Sequence, residues 1–134
     1  MFAVLTEINW LAVIVATVPF AVLGGLYFGV IAAKHYAAAV GAAPKQGALY
    51  IAGPNLASLV VVITSAVLLK ALDVTAIGDG VMFGLIVSVG YLVAQTANIA
   101  INPAFARPLL YTLINAPYFI VCGTVASIIL TAWQ

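Results

Sequence analysis

Four carboxamides and three phenols are the side chains of this sequence best placed to do chemistry. Gln95, Asn98, Asn102 and Asn115 sit in or beside long apolar runs, and Tyr91, Tyr111 and Tyr118 fall among them at helical spacings. Such groups donate and accept hydrogen bonds but exchange no proton near neutral pH. The chemistry they offer is recognition or cohesion rather than acid–base catalysis. Gly80, Gly84, Ser88, Tyr91, Gln95, Asn98 and Asn102 follow one another at steps of 4, 4, 3, 4, 3 and 4. At 3.6 residues per turn these steps predict one stripe along one helix. An unpaired amide in hydrocarbon costs several kcal/mol, so the stripe is expected to face other helices or a polar cavity. A second polar row, Tyr111, Asn115, Tyr118 and Cys122, recurs at steps of 4, 3 and 4.

The remaining reactive residue types are sparse. Glu7, Asp73 and Asp79 lie outside the centres of the apolar runs, which argues against a proton-coupled pump. Small multidrug transporters are of similar length but rely on an acid in the first helix, and Glu7 is too near the terminus for that role. The small glutathione-linked membrane enzymes hold an anionic tripeptide with several arginines, whereas this chain has Arg107 alone. His35 has no second histidine with which to form a metal site, and Cys122 among Ile120, Val121 and Val125 reads as inert packing. No catalytic, cofactor or metal site is therefore expected.

The elements that must position these groups follow from composition. Of 134 residues, 66% are hydrophobic and 5% charged, far from the roughly 25% charged of soluble domains. A net charge of +1 offers no patch for nucleic acid, and one cysteine excludes an internal disulfide. The expectation is a single transmembrane domain over residues 1–134, all-α, an integral membrane antiparallel four-helix bundle.

Spans are expected at about 10–33, 54–72, 80–101 and 108–133. Thr6 or Asn9 is the expected cap of the first, which contains Pro19 and the small pair Gly25 and Gly29. Ala37 to Gln46 reads as a loop of small residues with Pro44 and Lys45. The second span begins either near Ala48 with a kink at Pro54 or at Pro54 itself; proline suits the first helical position, and the later start is preferred. Asn55, Ser58, Val62 and Ser65 then share a face. Asp79 is the expected cap of the third span, Pro103 ends it, and Arg107 with Pro108 opens the fourth. Lys34, Lys45 and Arg107 flank the loops after spans one and three, whereas the opposite side carries Lys70 and all three acids. The positive-inside rule then places both termini outside the cytoplasm, with Trp10 and Trp133 at one outer interface.

Several short strings recur in order along the chain: Ile8-Asn9-Trp10, Leu23-Gly24-Gly25-Leu26-Tyr27-Phe28, Gly90-Tyr91, and Leu113-Ile114-Asn115-Ala116-Pro117-Tyr118, ending in Trp133. On these the chain resembles a family of small bacterial membrane proteins, domain of unknown function 1761, over essentially its whole length. It departs from the family pattern where Lys34 is followed by His35 and Tyr36. The resemblance implies four membrane helices in a bacterial inner membrane and carries no activity with it. The functional expectation is an accessory or structural membrane subunit without catalysis, in contact with the lipid bilayer and assembled as a homo-oligomer or within a membrane complex. The alternative is a small channel or transporter for a neutral or weakly polar solute, using the polar stripe of helices three and four.

Overall fold

Asn9 opens the first long helix. Its Oδ1 accepts the backbone N–H of Leu11 at 3.1 Å and of Ala12 at 3.2 Å, satisfying donors that have no partner inside a helix. The computed structural model, which describes residues 2–42 and 47–134, is helical throughout, with no strand among the described residues. A short 3₁₀ turn, Phe2–Thr6, precedes α1 (Trp10–Leu26), which runs into a π-helical segment, Tyr27–Ile31. Then come α2 (Ala33–Val40), α3 (Ala48–Ala71), α4 (Ile77–Val87), a second π segment (Ser88–Val93), α5 (Ala94–Ala100) and α6 (Pro108–Ala132). Four helical stretches, Trp10–Ile31, Ala48–Ala71, Ile77–Ala100 and Pro108–Ala132, are long and apolar enough to cross a membrane.

Three helix boundaries depart from the sequence expectation. The alanine run after Lys34 is not a loop: residues up to Val40 form α2, because alanine has the highest helix propensity. Gly41 ends that helix at φ 79°, its N–H donating to Ala37 O at 2.9 Å. The rest of the expected loop, including Pro44, Lys45 and Gln46, lies outside the described residues. Helix α3 begins at Ala48 rather than Pro54, so the proline lies inside it. Nearby carbonyls take side-chain donors, Asn55 Nδ2 to Ile51 O at 2.7 Å and Ser58 Oγ to Pro54 O at 2.9 Å. A membrane helix tolerates an interior proline; the carbonyl that Pro54 deprives of its partner is that of Tyr50, which neither of these bonds reaches. Finally, Asp79 does not cap its helix. Ala76 occupies the cap position, and Asp79 lies in the first turn, where the helix dipole favours an acid.

Helix α6 is the member against which the others pack. It contacts α1, α3 and the whole of the third span, and α1 also contacts α3. The core at this meeting is built from Val13, Ala16 and Phe20 of α1, Val62 and Leu69 of α3, and Cys122, Ala126 and Leu130 of α6. The third span is buried over a smaller share of its length than α6. Its N-terminal half seats on α6 through glycines. A methyl group on Gly84 would lie 2.7 Å from Thr124 Cα and 3.1 Å from Gly123 O, so only hydrogen fits there. Gly80 meets the Thr131 side chain, rather than backbone, at similarly close range. By contrast, Gly25 and Gly29 are exposed and nothing lies within 4 Å of where their methyl groups would be. The glycine of α1 that makes a close contact is Gly24, against the Tyr118 hydroxyl.

Candidate functional site

The stripe on the third span begins as its spacing predicts and then divides. Gly80, Gly84 and Ser88 are buried against α6. After Ser88 the backbone takes a π segment, which places more residues in each turn than an α-helix does. The packed line therefore continues through Leu92, Thr96 and Ala100 instead of Tyr91, Gln95 and Asn98. Leu92 approaches Gly123, and Ala100 is fully buried. Tyr91 is 71% exposed, and Gln95 and Asn98 are exposed beside it. The α-helical period used to read the stripe fails across those six residues, so the seven residues do not share one face.

The polar row on α6 is held inward and joins partners on α1 and α2. Asn115 is buried, and its Nδ2 donates to Tyr111 O at 2.7 Å. The Tyr118 hydroxyl donates to Phe20 O at 2.8 Å, and the Tyr27 hydroxyl donates to Ile114 O at 3.0 Å. The two bonds are reciprocal, each helix giving a phenol to the other's backbone. Tyr27 and Tyr118 lie nearly parallel, with centroids 6.4 Å apart and 10° between the rings. Phe28 meets Tyr118 edge-on at 4.9 Å and Tyr36 at 5.2 Å. Tyr36 continues to Tyr111, where the hydroxyls stand 3.5 Å apart, and Phe105 closes on Tyr111 at 4.6 Å. Aromatic pairs in these arrangements contribute about 0.5–1.5 kcal/mol each beyond burial.

Of the seven expected site residues, the fold thus brings Tyr111, Asn115 and Tyr118 together and leaves Tyr91, Gln95 and Asn98 on another face. Asn102 does neither: it sits in the turn after α5, and its Oδ1 accepts Ala104 N–H at 3.0 Å. Sequence reasoning missed Phe20, Tyr27, Phe28 and Tyr36. A signal was present, since Phe20 and Tyr27 share the seven-residue spacing of Tyr111 and Tyr118. The match is one of spacing only, since Tyr118 meets Phe20 whereas Tyr27 bonds Ile114 O and Tyr111 meets Tyr36.

The capacity of this cluster is limited by its own bonds. The Tyr27, Tyr118 and Asn115 donors already have backbone acceptors. Beside it, Leu23, Leu26, Tyr27, Pro117, Tyr118 and Val121 line an open, almost wholly apolar groove. No group of three or more His, Cys, Asp and Glu comes together among the described residues. Unpaired polar atoms occur elsewhere: the hydroxyls of Ser88, Thr124 and Thr131 are buried between α4 and α6 with no hydrogen-bond partner.

A family model described as Protein of unknown function (DUF1761) matches residues 11–131. No curated protein and no solved structure matches the chain.

Proposed function

The chain belongs to this family of unknown function, and from that premise we propose that it is a non-catalytic accessory or structural subunit of a cell membrane, working as a self-associating helical scaffold. The observation that carries the reading is the state of the polar groups between α1 and α6. Tyr27, Tyr118 and Asn115 each spend their donors on a backbone carbonyl within the chain. A solute site needs convergent groups left free for the solute; the two phenols are committed to holding α1 and α6 together, and the Asn115 amide donates within α6 itself. Interhelical side-chain bonds in membranes contribute about 0.6 kcal/mol on average, and several of them with aromatic packing make a rigid pair.

A second reading, a small channel or transporter for a neutral or weakly polar solute, is favoured by one observation, the three unpartnered hydroxyls of Ser88, Thr124 and Thr131. Flux measured in liposomes separates the two readings. Under the scaffold reading, wild-type vesicles pass small neutral solutes no faster than empty ones. Saturable flux that vanishes in a still-folded Ser88→Ala, Thr124→Val variant would establish transport and overturn the scaffold.

A further inference from the structure

The amides Gln95 and Asn98 differ from every other described carboxamide in having no partner. Asn9 donates to Trp133 O, Asn55 to Ile51 O, Asn115 to Tyr111 O and Gln134 to Val74 O, while Asn102 accepts from Ala104. Gln95 and Asn98 make no such bond, and the exposed Tyr91 hydroxyl beside them makes none. The three occupy one face of the third span, opposite the line that packs on α6. Gly90 and Ala94 lie on the same side, both exposed, with open space around Gly90.

Their depth makes the lack of partners consequential. The contacts of Gly80 with Thr131 and of Gly84 with Thr124 fix the register of the third span on α6. Carried forward, that register sets Gln95 near the level of Ala116 and Pro117, about 13 Å inside Pro108 at 1.5 Å per residue. Helix α6, with its 25 residues, overhangs a ~30 Å hydrocarbon core by only about 4 Å at each end. Gln95 therefore stands in hydrocarbon, where lipid offers neither donor nor acceptor, and Asn98, one turn nearer the helix end, stands just inside its edge.

We propose that this face is the contact with a second copy of the chain. A carboxamide carries both a donor and an acceptor, so it is complementary to its own kind. Two copies inserted in the same orientation and related by a two-fold axis along the membrane normal set Gln95 against Gln95 and Asn98 against Asn98. Gly90 and Ala94 supply the small surface that lets two helix backbones approach closely enough for those side chains to meet. Docking through this exposed face leaves the α1–α6 cross-bonds untouched. The proposal rests on the self-associating scaffold and names the surface through which it associates.

The test is oxidative cross-linking in membranes, in a Cys122→Ala background that removes the native thiol. Ala94→Cys reports the proposed face, Gly25→Cys the exposed glycine pair on α1, and Leu56→Cys the outer face of α3. The expected result is a disulfide-linked dimer from Ala94→Cys alone. Adding Gln95→Leu with Asn98→Leu should weaken that dimer roughly tenfold or more while the protein stays folded with a melting temperature close to the parent's, since neither side chain has an intramolecular hydrogen bond to lose. Cross-linking through Gly25 or Leu56 with none at Ala94 would overturn this surface and leave self-association standing. A single copy per lipid nanodisc, with no cross-link at any position, would remove self-association as well. An Ala94 cross-link that is indifferent to the amides, or that captures a different protein, overturns the amide-paired dimer.

Discussion

The Tyr118 hydroxyl donates to the Phe20 carbonyl oxygen at 2.8 Å across 98 residues of chain, and its ring packs edge-on to that of Phe20 at 6.0 Å. Seven residues further along the first span, Tyr27 returns the bond to Ile114. Ascending positions on one helix meet descending positions on the other, so the phenols set both the register and the relative direction of the two.

Removing one hydroxyl leaves the ring in place and isolates the bond. Tyr118→Phe is expected to cost about 0.5–1.5 kcal/mol and Tyr27→Phe a similar amount. The double variant should depart from the sum, because the two rings stack in one cluster at 6.4 Å and neighbours of that kind couple. A thermal or chemical denaturation series in detergent reads this, and a Tyr118→Phe variant as stable as the wild type would dismiss the cross-brace.

Glycines of the same sequence pattern should differ sharply in tolerance. Gly84→Leu must displace the Thr124 backbone 2.7 Å from its first carbon, whereas Gly25→Leu meets open space. Overpacking of this kind costs about 1–3 kcal/mol or more. The expected outcome is a markedly lower melting temperature for Gly84→Leu and little change for Gly25→Leu. Equal melting temperatures would show that the α4–α6 seat is not tight.

The π segment makes a prediction that point substitution cannot. If Ser88–Val93 accommodates one residue more than an α-helix needs, removing Val89 restores plain α geometry and keeps Ser88, Leu92, Thr96 and Ala100 on α6. Helicity by circular dichroism and melting temperature should be nearly unchanged. Removing Leu85 from the regular helix before it should rotate the rest of the span by about 100° and destabilise the protein. Equal damage from both deletions would argue against the bulge.

Asn9 serves both ends of the chain, capping α1 and donating to Trp133 O at 2.9 Å. Asn9→Ala should cost ~1 kcal/mol through the cap and should loosen the C-terminal turn. Hydrogen exchange is the sharper readout. Faster exchange at Leu11 and Ala12 is expected, and unchanged protection there would remove the cap from the account.

Topology rests on charge. With Lys34, Lys45 and Arg107 flanking one pair of loops, both termini are expected on the non-cytoplasmic side. In a Cys122→Ala background, a cysteine appended after Gln134 should react with an impermeant maleimide added to the outside of intact cells. Labelling from the cytoplasmic side alone would reverse the orientation.

Composition and hydropathy by themselves determined that the chain has four helices long and apolar enough to cross a membrane, and local chemistry narrowed the cap of α1 to Thr6 or Asn9 and placed the start of α6 at Pro108. These depend on the spacing and type of neighbouring residues, which a linear sequence displays directly. The start of α3 did not follow, because a proline is compatible both with the first turn of a helix and with the interior of a membrane helix. The fate of the polar stripe was hidden for a different reason. From Gly80 to Ser88 an α-helical period holds, but the π segment shifts the face after Ser88, and that shift is decided by how Leu92, Thr96 and Ala100 fit α6. The Tyr27–Ile114 and Tyr118–Phe20 bonds likewise exist only once α1 lies against α6, since each joins a side chain to a backbone acceptor about ninety residues away. Sequence periodicity reports which residues share a face of one helix; only packing selects which of two available faces is turned inward.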